Sequence, residues 1–346
     1  MGSLTNLLLP AVLFFALGFV ARVIKSDLRF PPDLAKVLSI YLLMAIGLHG
    51  GYELAKADIM TAVNSIVWAL VLGFTLPIIG YIALVLTRKV NPMDAAAISA
   101  HYGSVSAGTF LTAIAYLDSA GVSYETYPLI MLAVMESPAI IVGLLLAAKA
   151  RMSLAARDDV VAAGDGTTAM SADDGNENDA HSMAALLRDA FTNGSVVVLI
   201  GSMIIGAIST PSGMEKLFPF IDDIFMGVLC LFLFDMGMVA ARRIGDFRKV
   251  GLVLAAFGVL MPLLGGVVGA YVGFAILDFS VGGATLVAVL GASASYIAVP
   301  PAMRLAVPEA NPSFYLTLSL GITFPFNVLV GIPLYHSLVQ SMAMSG

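Results

Sequence analysis

Long stretches of consecutive apolar residues dominate the chain, and short polar connections separate them. A helix needs about 20 apolar residues to cross a membrane, and ten stretches of about this length can be placed. They cover residues 3–24, 34–54, 62–87, 94–117, 125–149, 194–211, 218–240, 250–275, 282–304 and 313–340. The pattern predicts an all-α integral membrane protein with ten transmembrane helices, numbered here as spans one to ten.

The basic residues agree with this count. When the ten spans are threaded through a membrane, 15 of the 17 Lys and Arg residues fall on one side, and only Lys56 and Lys216 fall on the other. Cytoplasmic loops of membrane proteins carry an excess of Lys and Arg. We therefore expect a multi-pass protein of the bacterial inner membrane with both termini outside the cytoplasm.

Composition narrows the class of protein. The chain of 346 residues is 59% hydrophobic and only 12% charged, whereas soluble domains are about 25% charged. Much of the surface must therefore face the lipid bilayer. The chain carries no basic stripe that would indicate a nucleic-acid partner, and no nucleophile and base at a catalytic spacing, so we expect a protein that is not an enzyme.

One long polar segment divides the chain. Residues 151–190 are rich in Asp, Gly, Ser and Ala, a composition that does not pack into a core. We interpret the segment as a cytoplasmic linker, partly disordered, between a first five-helix repeat (1–150) and a second one (191–346). Its more acidic part, 151–183, is either a simple tether or a docking loop for a regulator.

Because each half has an odd number of spans, five, the two halves enter the membrane from opposite sides. This topology is typical of an inverted repeat. Gly103-Ser104-Val105-Ser106 in span four aligns with Ala292-Ser293-Ala294-Ser295 in span nine. Residues two apart share a side only in extended backbone, so each serine pair forms one site only if its helix is broken there. We expect broken helices four and nine to cross at the membrane centre. The alternative is that these small residues serve only close helix packing.

A crossing of this kind offers groups for both signs of charge. Helix N-termini suit an anion, and freed carbonyl and hydroxyl oxygens suit Na⁺. Four ionisable residues also lie within predicted spans, where charge is costly: His49, His101, Glu136 and Asp235. Glu136 is either a cation ligand or a protonated acid, and Asp235 has the same two interpretations. Asn327 could supply an amide to the same cavity.

Two segments resemble a known family. "GASASYIAVPPAMRLAVPEANPSFYLTLSLGITFPFNVLVGIPLY" (291–335) and "HYGSVSAGTFLTAIAYL" (101–117) are similar to the sodium-dependent bicarbonate transporters best known from cyanobacteria. The resemblance implies a Na⁺-coupled bicarbonate symporter that forms a homotrimer. Each protomer would have a core and a gate domain that shift in an elevator-like manner, and a PII-like protein could bind at the cytoplasmic face.

The resemblance also implies the site, where the broken spans meet. The expected substrate-binding residues are Gly103, Ser104, Val105, Ser106, Ser293, Ala294, Ser295 and Tyr296. The expected Na⁺ ligands are Ser106, Thr109, Glu136, Ser295 and Asn327. The family reads Ser-Ser-Ser-Asp in span nine, so Tyr296 stands in place of a carboxylate and removes one candidate cation ligand.

Two rival functions stay open. One is a Na⁺- or H⁺-coupled carrier of another small carboxylate, in which Glu136 or Asp235 would carry the proton. The other is a membrane sensor that does not transport and reports through the 151–183 loop.

Overall fold

A computed structural model of the chain describes residues 9–28, 30–56, 58–164, 194–244, 247–297 and 299–345. This described part is helical and contains no β-strand. Most of the predicted linker and residues 1–8 lie outside it. The segment 151–164 continues the preceding helix.

Six helices are described between residues 9 and 164. They are α1 (Pro10–Val23), α2 (Pro32–Leu54), α3 (Ile59–Leu86), α4 (Pro92–Gly103), α5 (Ala107–Ser119) and α6 (Tyr127–Gly164). Proline opens α1, α2 and α4 at a position where a helix needs no N–H donor. Asp58 and Asn91 cap α3 and α4 by accepting hydrogen bonds from backbone N–H groups.

Seven helices are described in the second half. Its helices are α7 (Gly194–Ile208), α8 (Pro211–Phe218), α9 (Phe225–Ile244), α10 (Phe247–Tyr271), α11 (Val281–Ala292), α12 (Val299–Ala306) and α13 (Pro312–Ser345). Gly251 interrupts α10 with a positive φ of 74°, a conformation that suits glycine. Two π-helical segments, Thr317–Thr323 and Asn327–Gly331, widen α13 on either side of Pro325.

Six helical segments of the described chain are long and apolar enough to cross a membrane, and three apolar helices are shorter, namely Pro10–Val23, Val197–Ile208 and Val281–Ala292. A multi-pass membrane protein is therefore confirmed, while the count of ten spans stays a prediction. The expected seventh span, 218–240, differs in its start: α9 begins only at Phe225. A short helix and a π-helical turn that each open with a proline occupy 211–223 instead.

Helices of one half pack against helices of the other. The first helix, α1, packs along α9, and α7 packs along α2. Close contact between α1 and α9 depends on two glycines, because a Cβ at Gly18 would overlap the carbonyl oxygen of Phe234, and one at Gly237 would overlap that of Phe15. Small residues at such interfaces let helix backbones approach closely.

The α2–α7 interface repeats this arrangement. A Cβ at Gly51 would overlap the carbonyl oxygen of Met203, and one at Gly206 would overlap that of Leu48. The remaining long helices, α3, α4, α6, α10, α11 and α13, pack on one another. We call the four helices α1, α2, α7 and α9 the outer pairs and these remaining helices, with α5 and α12, the inner group.

Carboxylates tie the ends of the inner group together. Glu125, ahead of α6, accepts hydrogen bonds from the backbone N–H and hydroxyl of Ser280, ahead of α11. Asp94, in the first turn of α4, accepts one from the backbone N–H of Asn311, ahead of α13. Arg151 donates two hydrogen bonds to Glu309, which lowers the pKa of that carboxyl. The connections at both ends of the inner group are thus fixed by polar contacts.

Substitution of Gly206 tests the α2–α7 contact. We expect Gly206→Ala to lower the melting temperature of the detergent-solubilised protein by about 3 °C or more, because overpacking of about 1–3 kcal/mol must push α2 and α7 apart. The matched control is Gly201→Ala in the same helix, where a Cβ meets nothing within 4 Å. Equal melting temperatures for the two variants would contradict the proposed role of the glycine.

Candidate functional site

The helix of span four is interrupted at its serine pair. The C-terminal end of α4 is Gly103, and Ser104 turns the backbone to an extended conformation with φ −90° and ψ 174°. Ser106 is also extended and caps α5, because its Oγ accepts hydrogen bonds from the backbone N–H of Thr109 at 3.2 Å and from the Thr109 hydroxyl at 2.9 Å. The predicted break in span four is confirmed.

Span nine is interrupted in the same way. The end of α11 is Ala292, Ser293 is extended with φ −87° and ψ 164°, and the next helix begins only at Val299. The Ser293 hydroxyl donates to the carbonyl oxygen of Leu290 at 2.9 Å, which satisfies one of the free carbonyls at the end of α11. The predicted break in span nine is confirmed as well.

The two interruptions contact each other directly. The backbone N–H of Ser106 donates to the Ser293 hydroxyl at 3.0 Å, and the backbone N–H of Ser295 donates to the carbonyl oxygen of His101 at 2.8 Å. All six residues of the two extended segments are at most 3% exposed: Ser104, Val105, Ser106, Ser293, Ala294 and Ser295. The two extended segments therefore meet in the interior of the protein.

Two hydroxyls at this junction have no partner. The Oγ atoms of Ser104 and Ser295 are buried and make no hydrogen bond within the part of the chain that the structure describes. A buried hydroxyl without a partner costs about 1–3 kcal/mol. A hydroxyl can donate a hydrogen bond to an anion, and its oxygen lone pairs can coordinate a cation. Both hydroxyls are therefore available to a bound solute or ion.

A small cavity lies beside the junction. Its volume is about 20 Å³, which is room for a single water-sized species. Ser106, Glu136 and Tyr296 are its polar side chains. The rest of the wall is formed by Leu43, Val105, Ala107, Leu132, Ala133, Leu199 and Ile297. Oε2 of Glu136 is buried and has no hydrogen-bond partner among the described residues.

The Tyr296 side chain reaches this cavity because residue 108, which it packs against, is a glycine. A Cβ at Gly108 would overlap the Tyr296 hydroxyl and the Phe232 ring. The Tyr296 ring packs edge-on against Phe324, with their centroids 5.5 Å apart. The phenol is therefore held at the cavity by aromatic packing.

Three further candidate residues lie close to the junction and contact its helix ends. Thr109 is 1% exposed and contacts the cap Ser106. Asn327 donates to the carbonyl oxygen of Ala292 at 2.8 Å and accepts from the Tyr335 hydroxyl at 3.1 Å, so it holds the end of α11. His101 contacts the carbonyl oxygen of Ala97 through Nδ1 at 2.6 Å and stacks on Tyr315.

The other ionisable candidates lie apart from the junction. Asp235 is buried in α9, and it does not line the small cavity. His49 is half exposed and lies 3.4 Å from Asp222. His49 and Asp222 line a separate cavity of about 710 Å³, which is also lined by Glu53, Asp118 and Glu125.

A third cavity adjoins the small one. It has a volume of about 440 Å³, and Lys36 is the cation in its wall. Tyr296 and Ile297 line both this cavity and the small one, whereas the 710 Å³ cavity shares no lining residue with the small one. We call the 440 Å³ space the Lys36 vestibule. In this structure the junction lies next to that vestibule.

Sequence reasoning did not identify several residues that build the site. Tyr102 forms a hydrogen bond to Thr323 at 2.7 Å, and Thr323 in turn donates to the carbonyl oxygen of Gly258. Leu43 and Leu199 complete the cavity wall. A leucine in an apolar helix carries no signal that separates a cavity wall from a lipid-facing surface.

The chain was compared with known proteins and protein families. No curated protein matches the chain. A family model described as the Na⁺-dependent bicarbonate transporter superfamily matches residues 10–340, nearly the whole chain, including both interrupted helices. The chain therefore belongs to the Na⁺-dependent bicarbonate transporter superfamily.

Proposed function

We propose that this protein is a secondary active transporter that couples the entry of Na⁺ to the symport of bicarbonate into the cytoplasm. The observation that carries the proposal is the direct contact between the two interrupted helices, with the unpartnered hydroxyls of Ser104 and Ser295 beside it. Non-helical backbone at membrane depth persists only where protein or an aqueous cavity surrounds it. A junction of this kind suits a solute that needs both donors and acceptors.

The anion would bind along the two extended segments. Helix N-termini and serine hydroxyls can donate to its oxygens. No Lys or Arg lines the small cavity among the described residues. A cation bound nearby would therefore supply the positive charge that stabilises the anion in a site of low polarity.

The cation would bind near Ser106 and Glu136, which both line the small cavity. Ser295, with its unpartnered hydroxyl, is the third proposed ligand. Thr109 and Asn327, the other two expected ligands, would act by holding Ser106 and the end of α11 in place. The cavity volume of about 20 Å³ has room for an ion such as Na⁺.

The packing supports an inverted repeat with two moving parts. In each half the first helix packs on a long helix of the other half, α1 on α9 and α7 on α2. We propose that the outer pairs form the gate domain and that the inner group forms the core domain, which shifts in an elevator-like manner. The Lys36 vestibule lies on the side where most of the basic residues are expected, so this conformation would release solute to the cytoplasm.

Further features of the proposal come from the family. We propose a homotrimer in the bacterial inner membrane, with both termini outside the cytoplasm and a PII-like regulator at the cytoplasmic face. Symport of one Na⁺ with one bicarbonate carries no net charge. A tenfold Na⁺ gradient then supplies about 1.4 kcal/mol, enough for about tenfold accumulation.

One observation favours a second candidate function. Glu136 is a buried carboxyl without a hydrogen-bond partner at Oε2, and buried carboxyls of this kind also serve as proton carriers in membrane transporters. A proton-coupled carrier of a small carboxylate is therefore the alternative. The proposed sensor loop, 151–183, lies mostly outside the described residues.

Uptake by the purified protein tests the proposed function. In proteoliposomes at alkaline pH, where little CO₂ is present to leak across the lipid, we expect labelled bicarbonate to enter with Na⁺ outside and not with K⁺. Labelled acetate should enter in neither salt. Bicarbonate uptake that is equal in Na⁺ and K⁺ would rule out sodium coupling, and acetate uptake driven by a pH gradient would favour the alternative.

Ser106→Ala tests the junction itself. This substitution removes the cap of α5 and a hydroxyl in the cavity wall, each worth about 1–2 kcal/mol, so we expect the uptake rate at low Na⁺ to fall at least about tenfold. Ser209→Ala is the matched control, because the Ser209 hydroxyl also donates to a carbonyl oxygen of the preceding helix, while the residue is only partly buried and lines none of the cavities described above. Unchanged uptake by Ser106→Ala would contradict the assigned site.

A further inference from the structure

Asp235 is a buried carboxylate that the proposed site does not use. It lies in α9 and is 6% exposed. Within the part of the chain that the structure describes, its carboxylate makes no hydrogen bond and no ion pair. An unpaired charge in a membrane interior is costly and usually has a functional partner. A partner for the Asp235 carboxylate is therefore expected outside the protein's own side chains.

Neighbours of Asp235 on α9 lie close to Tyr296. Phe232, Met236 and Val239, on one face of α9, line the Lys36 vestibule together with Tyr296. Asp235 follows Phe232 by three residues and so lies near the edge of that face. Its carboxylate acts electrostatically on the Tyr296 phenol. Asp235 of the outer pairs is thus close enough to Tyr296, which follows α11 of the inner group, to act on it electrostatically near the vestibule.

The cations near Asp235 do not neutralise it by direct contact. Arg242 acts on the carboxylate electrostatically from two turns further along α9 and is itself exposed. Lys36 lines the vestibule and is also exposed. Neither forms an ion pair with Asp235. The negative charge is left for a mobile cation that enters from the vestibule.

We propose that the Asp235 carboxylate and the Tyr296 hydroxyl hold a second monovalent cation, at a position distinct from the one beside Glu136. The inference rests on the proposed function, because it assumes that Na⁺ reaches the junction. Carboxylate and hydroxyl oxygens are hard ligands of the kind that such cations prefer. The vestibule, at about 440 Å³, has room for waters that complete the coordination.

The second cation changes the energetics of transport. Two Na⁺ ions with one bicarbonate carry one net positive charge, so the membrane potential would drive uptake in addition to the Na⁺ gradient. The potential then contributes roughly a 50-fold increase in accumulation for each 100 mV, negative inside. With only the Glu136 position occupied, the potential would contribute nothing.

Counting bound Na⁺ tests the proposal without transport. In scintillation-proximity binding with ²²Na⁺ in detergent, we expect two ions per wild-type protomer and one for Asp235→Asn. Tyr296→Phe keeps the ring and loses only the hydroxyl, so it should raise the Na⁺ concentration for half-saturation of one of the two sites about tenfold. Glu215→Gln, an exposed acid of α8, is the matched control and should bind as the wild type does.

Proteoliposomes supply the second measurement. With a potential set by K⁺ and valinomycin, we expect wild-type uptake to accelerate when the interior is negative. Asp235→Asn should still require Na⁺, while it loses both the response to the potential and the sigmoidal dependence on Na⁺. Two bound ions and a full response to the potential in Asp235→Asn would overturn the proposal.

The outcomes separate the two hypotheses. Wild-type protein that shows no Na⁺-dependent bicarbonate uptake would refute the proposed function, whereas the count of bound ions still decides the role of Asp235. If Asp235→Asn does not yield a monodisperse protein, Tyr296→Phe decides: unchanged Na⁺ affinity at both sites would overturn the second cation position.

Discussion

A chain inside a lipid bilayer must satisfy every backbone polar group from within the protein, and the two interrupted helices meet this demand by contacting each other. The backbone N–H of Ser106 donates a hydrogen bond to the Ser293 hydroxyl, and the backbone N–H of Ser295 donates one to the carbonyl oxygen of His101. Neither interruption could persist alone without leaving donors unpaired at a cost of several kcal/mol. The junction is therefore a single structural unit built from both halves of the chain.

This unit determines what surrounds it. Asn327 must reach the free carbonyl oxygen of Ala292, so α13 carries an amide in an otherwise apolar helix. The backbone of α13 is π-helical over Asn327–Gly331, and π-helical turns often accompany functional positions. Gly108 must lack a side chain so that Tyr296 can reach the cavity. Small and polar residues thus cluster where a lipid-facing helix would have leucine.

The sequence predicts the interruptions well and the surrounding wall poorly. Paired serines next to Gly103 and ahead of Pro300 are a local signal, and both breaks are found where that signal lies. Most helix boundaries agree within a few residues, because prolines and capping residues mark them. The start of α9 is wrong by seven residues, since an apolar stretch does not reveal the turn that Pro219 begins.

The wall of the small cavity has no local signal because it is formed between helices far apart in the sequence. Leu43 and Leu199 belong to the outer pairs, whereas Ser106, Glu136 and Tyr296 belong to the inner group. Because the two sides of the cavity lie on separately packed helices, any movement of the inner group relative to the outer pairs would change its shape. Ser106 and Glu136, the proposed Na⁺ ligands, lie on the side that belongs to the inner group. Such a movement would therefore change the separation between these ligands and the leucines of the other side.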